Sequence, residues 1–439
     1  MKNSRRAGQT VVVLLEGIPQ NGNGGGITGL STLMSLRDQG MKVILIALSE
    51  SSKDFDSADD PTKRAALETF PLIQLFVSHP FKSQSLFRRF LRRGGLALGL
   101  RSSIFWGFRL KPKLKRVLQQ IKPDAIIAYH WSTLAAVNGL GAGPVVGLVG
   151  DPISEVMRHQ FQLGNQKSLN APKEKSFRDF YATKVLIPRI KRLEISLLKD
   201  CEVAGAFAFH YTEEFRKAGV ACLYFRTPIP RPGHTFSNNR KKKRILHIGS
   251  LRGTATLSGL RLMIDEVIPA LDALRGSRDY DVHLVGGFFN ELPGDFRARI
   301  LESGVTPRGQ IVPPNPEFVE ASVVLVPIPI ELGIRVRILT ALSYGSPVVA
   351  HIANTRGIPE LAHSRNCLIG NDANSLAAAY NQLLNSRQQR ETLSKGALQT
   401  CEQYFSPDVA GKEISQAVVE ILSHARARKH SLRFVGRPF

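Results

Sequence analysis

The sequence predicts an α/β protein made of two doubly wound domains with parallel sheets. Its 439 residues are enough for two or three domains, at roughly 100–200 residues each. Short β-branched runs alternate with helix-period stretches in both halves, and the alternation breaks once, over Thr227–Arg240. Continuous apolar strands separated by helices are typical of parallel sheets covered on both faces. Apolar residues make up 43% of the chain and charged residues 22%, which excludes disordered and fibrous classes.

The first half contains six predicted strands. They are Val11–Leu15, Val43–Leu48, Ile73–Val77, Ala125–Tyr129, Val145–Leu148 and Val203–Phe207. The helices predicted here are Gly29–Gln39, Pro112–Gln120 and Phe177–Leu198. The basic start and the run Val11–Leu15 resemble a signal peptide, but this run is short and is followed by Glu16 and Pro19, with no cleavage site. We therefore interpret it as the first strand and expect a cytoplasmic protein.

The second half repeats the alternation after a stretch rich in proline, asparagine and basic residues, which is typical of a linker. Its predicted strands are Arg244–Ile248, Val282–Val285, Gln310–Val312, Val323–Val326, Val348–Ala350 and Cys367–Ile369. Its predicted helices are Ser258–Leu274, Ile334–Tyr344, Asn374–Asn385 and Arg387–Tyr404. We predict a first domain at 1–228, a linker at 229–243, a second domain at 244–404, a further helix at 405–422 and a basic tail at 423–439.

Positive charge is concentrated in a few segments of a chain whose net charge is +23. Residues 69–123 contain 12 Lys or Arg and no acid, which indicates an anionic partner, either lipid or nucleic acid. A helix over Ser85–Arg93 would have Leu and Phe on one face and arginines on the other, as in helices that lie in a lipid headgroup layer. An ordinary surface helix is the alternative. No nucleic-acid-binding motif is present, so we predict an anionic membrane surface as the partner of residues 82–122.

A glycine-rich segment, Asn21–Gly29, follows the first strand. Its backbone amides and the helix that follows favour an anion. Gly24, Gly26 and Gly29 also fit the dinucleotide pattern GxGxxG, and Glu50 lies 21 residues further on. That fingerprint begins directly after its strand, whereas eight residues separate Leu15 from Gly24. An anion site, a dinucleotide site and a turn without a ligand therefore remain open.

Residues 328–350 predict a strand, a loop, a helix and a second strand. Gly333 gives the loop conformational freedom, the helix is predicted over Ile334–Tyr344, and Gly345 ends this helix. Arg335 is expected in the first helical turn, where its positive charge is unfavourable next to the positive end of the helix dipole. An anion bound between the arginine and the helix amides would explain this position. Arg337 lies about 200° further round the helix, so both arginines cannot hold one phosphate from the helix alone. A solvated surface arginine is the alternative for Arg335.

This segment resembles the donor-site block of retaining GT-B glycosyltransferases of group one, the large family-four type that builds bacterial polysaccharides and lipid-linked glycans. In that block, Gly-x-Arg-x-Lys/Arg-x-Leu-Glu-Ala opens a helix that ends in Gly-x-Pro-Val-Val. The matching residues are Gly333, Arg335, Arg337, Leu339, Ala341, Gly345, Pro347, Val348 and Val349. Weaker similarity at His247–Leu251, Pro123–His130 and Asn21–Gly29 extends the resemblance over nearly the whole chain.

The resemblance implies two Rossmann-like domains that face each other across a cleft, with the C-terminal helix crossing back to the first domain. It implies transfer of a sugar from a nucleotide-diphosphate sugar to a glycan or lipid-linked acceptor at the cytoplasmic membrane face, with retention and without a metal or cofactor. The implied catalytic residues are Arg335, Arg252 and Asp151. The implied donor-binding residues are Gly249, Ser250, Gly333, Ile334, Arg337, Thr340, Gly25 and Gly26. The implied acceptor-side residues are Gly24 and His130.

Several positions depart from the family pattern. Thr340 replaces a Glu that binds the ribose, and Glu331 precedes it by nine residues instead of eight. Ser250 replaces an Arg, no Lys follows it, and Gly150 replaces a His. These departures favour one alternative from another class, a non-catalytic GT-B scaffold that binds a membrane or a partner enzyme. An NAD-linked enzyme that uses Gly24–Gly29 is a second alternative.

Overall fold

The apolar run that begins at Val11 forms strand β1 (Thr10–Glu16), an interior strand of the first sheet in the computed structural model. The structure describes residues 8–19, 24–49, 61–76, 110–166, 181–233, 235 and 243–435. The predicted helix Ser85–Arg93 and Glu50, cited above for the dinucleotide alternative, lie outside these ranges. Because every residue from Val11 to Leu15 is buried, the strand is covered by helices on both faces, as a continuous apolar run predicts.

The first sheet contains seven parallel strands in the order β3-β2-β1-β4-β5-β6-β7. The strands after β1 are β2 (Lys42–Ser49), β3 (Leu72–Phe76), β4 (Ala125–Tyr129), β5 (Val145–Val149), β6 (Val203–Ala206) and β7 (Cys222–Tyr224). The helices described around it are α1 (Gly24–Asp38), α2 (Pro61–Thr69), α3 (Leu110–Ile121), α4 (Trp131–Val137), α5 (Ile153–Gln166), α6 (Ile187–Lys199) and α7 (Phe209–Lys217).

The second sheet contains six parallel strands in the order β10-β9-β8-β11-β12-β13. They are β8 (Lys243–Ile248), β9 (Tyr280–Val285), β10 (Val305–Gly309), β11 (Val323–Val326), β12 (Val348–His351) and β13 (Leu368–Gly370). The α-helices of this half are α8 (Thr254–Leu262), α9 (Ile268–Arg275), α10 (Gly294–Glu302), α11 (Asn315–Glu320), α12 (Val336–Ser343), α13 (Ala373–Asn385), α14 (Arg387–Thr400) and α15 (Pro407–Val435). Two parallel-sheet α/β domains confirm the predicted fold class.

The sequence predictions for the start of the first helix and for strand β10 are wrong. Helix α1 begins at Gly24 instead of Gly29, so the glycines form its first turns. A helix start has free amides in any case, so the low helix propensity of glycine costs less there than in the interior. Strand β10 occupies Val305–Gly309 instead of Gln310–Val312. Pro307 and Gly309 disfavour a strand in isolation, but β10 is an edge strand, where a missing amide is tolerated.

The C-terminal helix α15 packs on the first domain, as the resemblance implies. Its Ile414 and Val418 share a hydrophobic core with Leu33 and Leu36 of α1. At the closest point Gly411 faces Ser35, and a side chain at Gly411 would collide with the serine hydroxyl. The helix continues to Val435, beyond the predicted end at residue 422. It therefore joins the end of the second domain to the outer layer of the first.

Both sheets reverse their strand order next to the first strand of each half. In the first sheet β1 lies between β2 and β4, and in the second β8 lies between β9 and β11. Ligands of doubly wound domains bind at such switch points, beyond the carboxyl ends of the strands. The two switch points of this chain open into one shared cleft.

Candidate functional site

The cleft between the domains has a volume of about 880 Å³ and is lined by residues from the carboxyl ends of both sheets. Most residues predicted for the site line it. They are Gly25, His130, Asp151, Gly249, Ser250, Arg252, Gly333, Ile334, Arg335, Arg337 and Thr340. Gly24 and Gly26 flank Gly25 in the first turn of α1, and Gly26 is buried. Segments far apart in the sequence, from the first glycine loop to Thr340, thus meet in one space.

Arg337 lies buried under the loop that follows β8. A side chain at Gly249 would collide with its guanidinium, so glycine is needed for this close approach. Nη2 donates a hydrogen bond to the Thr256 hydroxyl of α8 at 2.7 Å, whereas Nη1 is buried without a partner among the described residues. Burial, followed by the nearby charge of Arg335, lowers the pKa of Arg337 to about 9. Within the described part of the chain, this cation is therefore held at the cleft without a compensating anion.

Arg335 precedes helix α12 as its N-cap residue, so the prediction that it lies in the first helical turn is wrong. Its side chain is 8% exposed and its Nη2 donates to the Ile330 carbonyl at 3.3 Å. Because its backbone is not helical, the angular separation from Arg337 expected for two helix residues does not apply, and both arginines line the same cleft. Two cations beside the free amides of a helix start form a site suited to an anion.

Asp151 and the Gly333 loop form a contact between the two domains. Gly333 has a positive φ of 64°, and a side chain on it would collide with the Asp151 carboxylate. Its amide donates to the Tyr211 hydroxyl at 3.3 Å. Burial raises the pKa of Asp151, and the nearby Arg335 acts in the opposite direction. The loop that carries the arginine is thus held against the first domain.

The wall supplied by β4 combines a buried tyrosine with a strained histidine. The Tyr129 hydroxyl and the Thr28 hydroxyl of α1 lie 2.8 Å apart and share a hydrogen bond, and burial raises the tyrosine pKa. His130 has a φ of 77°, and its ring meets the Tyr129 ring edge-on at 4.7 Å between centroids. Burial lowers the pKa of His130, so its imidazole is neutral at neutral pH.

Arg252 lies at the rim of the cleft, with its side chain 60% exposed. Its guanidinium donates to the Glu291 carboxylate at 2.8 and 2.6 Å and lies 3.7 Å from the centre of the Phe288 ring. Its charge is already paired, unlike that of Arg337. Thr340 lines the cleft, whereas Glu331 is exposed and faces Arg356 at 3.5 Å.

Thr28, Tyr129 and Thr256 are among the cleft residues that the sequence analysis missed. Thr256 could have been found, because a hydroxyl in the first turn of a helix after a glycine loop is a common anion contact. Tyr129 and Thr28 are 101 residues apart, and no local pattern links them. Among the described residues, no three His, Cys, Asp or Glu side chains form a group that could hold a metal ion. None of the described helices is both long and apolar enough to cross a bilayer.

Known proteins resemble the chain in two ways. Residues 242–386 match the family model described as Glycosyl transferases group 1. No curated protein matches the chain. The two-domain structure is similar to that of sucrose-phosphate synthase from Thermosynechococcus elongatus, with a TM-score of 0.67 and 15% identity over 95% of this chain and 100% of that one.

Two further solved structures have the same architecture. HepE from Anabaena in complex with UDP has a TM-score of 0.62 and 15% identity, over 94% of this chain and 100% of that one. TarM from S. aureus has a TM-score of 0.62 and 9% identity, over 94% of this chain and 99% of that one. At these identities the likeness shows the fold. The chain is therefore a glycosyltransferase of the GT-B fold, and residues 242–386 of its second domain match the group 1 family model.

Proposed function

We propose that the protein transfers a sugar from a nucleoside-diphosphate sugar to a hydroxyl of a glycan or lipid-linked acceptor, with retention and without a metal. The observation that carries this proposal is the burial of Arg335 and Arg337 at one interdomain cleft, next to the start of helix α12. A diphosphate supplies the negative charge that Arg337 lacks among the described residues. The known structures of HepE with UDP and with UDP-glucose, and of TarM with UDP, support a nucleotide sugar as donor.

In this proposal the diphosphate lies against the loop Gly249–Gly253, the start of α8 and the start of α12. As the bond between the sugar and the diphosphate breaks, negative charge develops on the departing phosphate oxygen. Preorganised cations and amides stabilise such charge without reorganising. Arg335 and Arg337 have this role, and Arg252 contributes from the rim only if it leaves Glu291. Asp151 is positioned on the opposite wall to accept a hydrogen bond from the acceptor hydroxyl.

Nucleotide binding tests the proposal directly. Titration calorimetry with UDP, GDP, UDP-glucose and GDP-mannose is expected to show one site per chain for the compounds that carry the correct base. Absence of binding by all four compounds contradicts the proposal.

A non-catalytic scaffold is the second candidate, and Thr340 is the observation that favours it. Threonine cannot provide the charged acceptor that a glutamate at this place provides for ribose hydroxyls. A scaffold that kept its nucleotide site would bind UDP or GDP but release no nucleoside diphosphate from a nucleotide sugar. Measuring that release with and without a glycan acceptor distinguishes a transferase from a scaffold.

We further propose that the protein works at the inner face of the cell membrane. Helix α3 supports this, because Leu110, Leu114 and Leu118 are buried while Lys113, Lys115 and Arg116 are exposed. Each cation near an anionic leaflet contributes about 1 kcal/mol. Flotation with phosphatidylglycerol vesicles is expected to recover the protein at low salt, and the Lys113→Gln/Lys115→Gln/Arg116→Gln variant to bind about 100-fold more weakly. Equal binding to neutral phosphatidylcholine vesicles contradicts this part of the proposal.

A further inference from the structure

The ring of His130 fills the space that a side chain at position 150 would occupy. His130 follows β4 and Gly150 follows β5, and these neighbouring strands end at the same edge of the sheet. A Cβ atom at Gly150 would lie 3.1 Å from His130 Nδ1 and 3.2 Å from Cε1, and apart from its chain neighbours it would meet no other atom of the described residues within 4 Å. Glycine at position 150 therefore leaves room for this imidazole.

The backbone of His130 is strained. Its φ of 77° and ψ of 169° lie in a region that is occupied almost entirely by glycine. Such strain persists where the surrounding structure imposes it, and it concentrates at functional sites. Here the His130 amide donates to the Leu148 carbonyl at 2.7 Å, and its carbonyl accepts from the Thr133 hydroxyl at 2.9 Å. The fold thus holds a strained residue at the cleft where glycine would fit without strain.

The imidazole is suited to a sugar hydroxyl. The hydrogen bonds of His130 among the described residues use its backbone, and its ring lines the cleft. A neutral imidazole has one donor and one acceptor, and so has a hydroxyl group. Burial lowers the pKa of His130, and the charge of Glu16 opposes this shift only in part, which keeps the ring neutral.

The surroundings of His130 point to the donor rather than the acceptor. Its ring touches Gly150, the next residue is Asp151, and the Asp151 carboxylate packs on Gly333 in the loop that leads to Arg335. If the diphosphate lies at Arg335, as in the proposed function, the attached sugar lies one bond further into the cleft, beside this wall. We propose that His130 hydrogen-bonds a hydroxyl of the sugar to be transferred, and that Gly150 is glycine to admit its ring. This inference rests on the proposed function.

Moving the imidazole to the neighbouring strand tests the inference. The variants are His130→Gly, which removes the ring and the strain, and His130→Gly/Gly150→His, which restores a ring in the same space. Calorimetry with UDP, GDP, UDP-glucose and GDP-mannose, without an acceptor, isolates the donor contact. His130→Gly is expected to bind the nucleotide sugar about tenfold more weakly, with unchanged affinity for the nucleoside diphosphate. Its Tm is expected to rise by about 2 °C, and the double variant to recover affinity to within about threefold of wild type.

Each other outcome overturns a specific statement. Unchanged nucleotide-sugar affinity in His130→Gly, or an equal loss for the nucleoside diphosphate, overturns the inference alone. A double variant that folds and binds the nucleotide sugar no better than His130→Gly overturns the statement that Gly150 is glycine to admit the His130 ring. A wild-type protein that binds none of the four compounds overturns the proposed function, and the inference with it.

Discussion

Arg337→Met is expected to raise thermal stability and to abolish most of the activity. Arg337 is buried, its pKa is lowered to about 9, and no carboxylate among the described residues lies within ion-pair distance. A base whose pKa is lowered in the folded state destabilises the fold when it is charged, so removing the charge raises Tm at pH 7. Loss of one preorganised cation at a developing negative charge lowers kcat/KM by about 10²–10³. Thermal unfolding and sugar-transfer kinetics measure the two effects.

Two control variants separate this effect from a general loss of structure. Arg337→Lys keeps a cation but not the guanidinium geometry, and we expect an intermediate kcat/KM. Arg299→Ala removes an exposed arginine that pairs with Asp265 on the surface, and we expect both Tm and kcat/KM to stay near wild type. A lower Tm for Arg337→Met, together with wild-type kinetics, would show that Arg337 is a structural cation and not a ligand contact.

Gly333→Ala is expected to lower kcat/KM by at least about 100-fold, because the loop that carries Arg335 would move. Two independent effects act at this position. The φ of 64° is unfavourable for alanine by roughly 1–2 kcal/mol. The new methyl group would also collide with the carboxylate of Asp151, which belongs to the other domain. Relief of that collision requires the loop to withdraw or the domains to separate, and steady-state kinetics detects either.

Gly276→Ala is the matched control for Gly333→Ala. Gly276 ends helix α9 with a φ of 70°, and no atom of the described residues lies within 4 Å of the place that an alanine methyl group would take. The substitution has the same backbone cost without a collision, so we expect a smaller fall in Tm than for Gly333→Ala and an unchanged kcat/KM. If the two variants have equal kcat/KM, the contact between Gly333 and Asp151 does not position the site.

Local patterns predicted most of the fold. Strands such as Val11–Leu15 and Val323–Val326 are buried on both faces, and an element of that kind has to be apolar along its whole length. The end of helix α12 was equally predictable, because helices often end at a glycine with a positive φ, and Gly345 has a φ of 67°. The edge strand β7 and the true position of β10 were not found, because short edge strands are specified by their neighbour more than by their own residues.

Local sequence patterns predicted only part of the candidate site. Glycines and arginines near strand ends could be identified, since the carboxyl edge of a parallel sheet is where ligands bind. The pairing of Arg252 with Glu291 could not be identified from the sequence, because these residues are 39 positions apart and either could have had another partner. The sequence suggested two arginines on opposite sides of one helix, and the structure brings both to the cleft.

The amino-acid sequence alone determined that this chain forms two parallel-sheet domains with glycine loops and arginines at their strand ends, because hydrophobic period and glycine placement act over a few residues. Only the tertiary structure decided that Arg337 lacks an anionic partner among the described residues. It also decided that the His130 ring fills the space next to Gly150 and that Asp151 faces the Gly333 loop. Those outcomes depend on contacts between segments that are distant in the sequence, where burial and packing select among partners that no local pattern distinguishes.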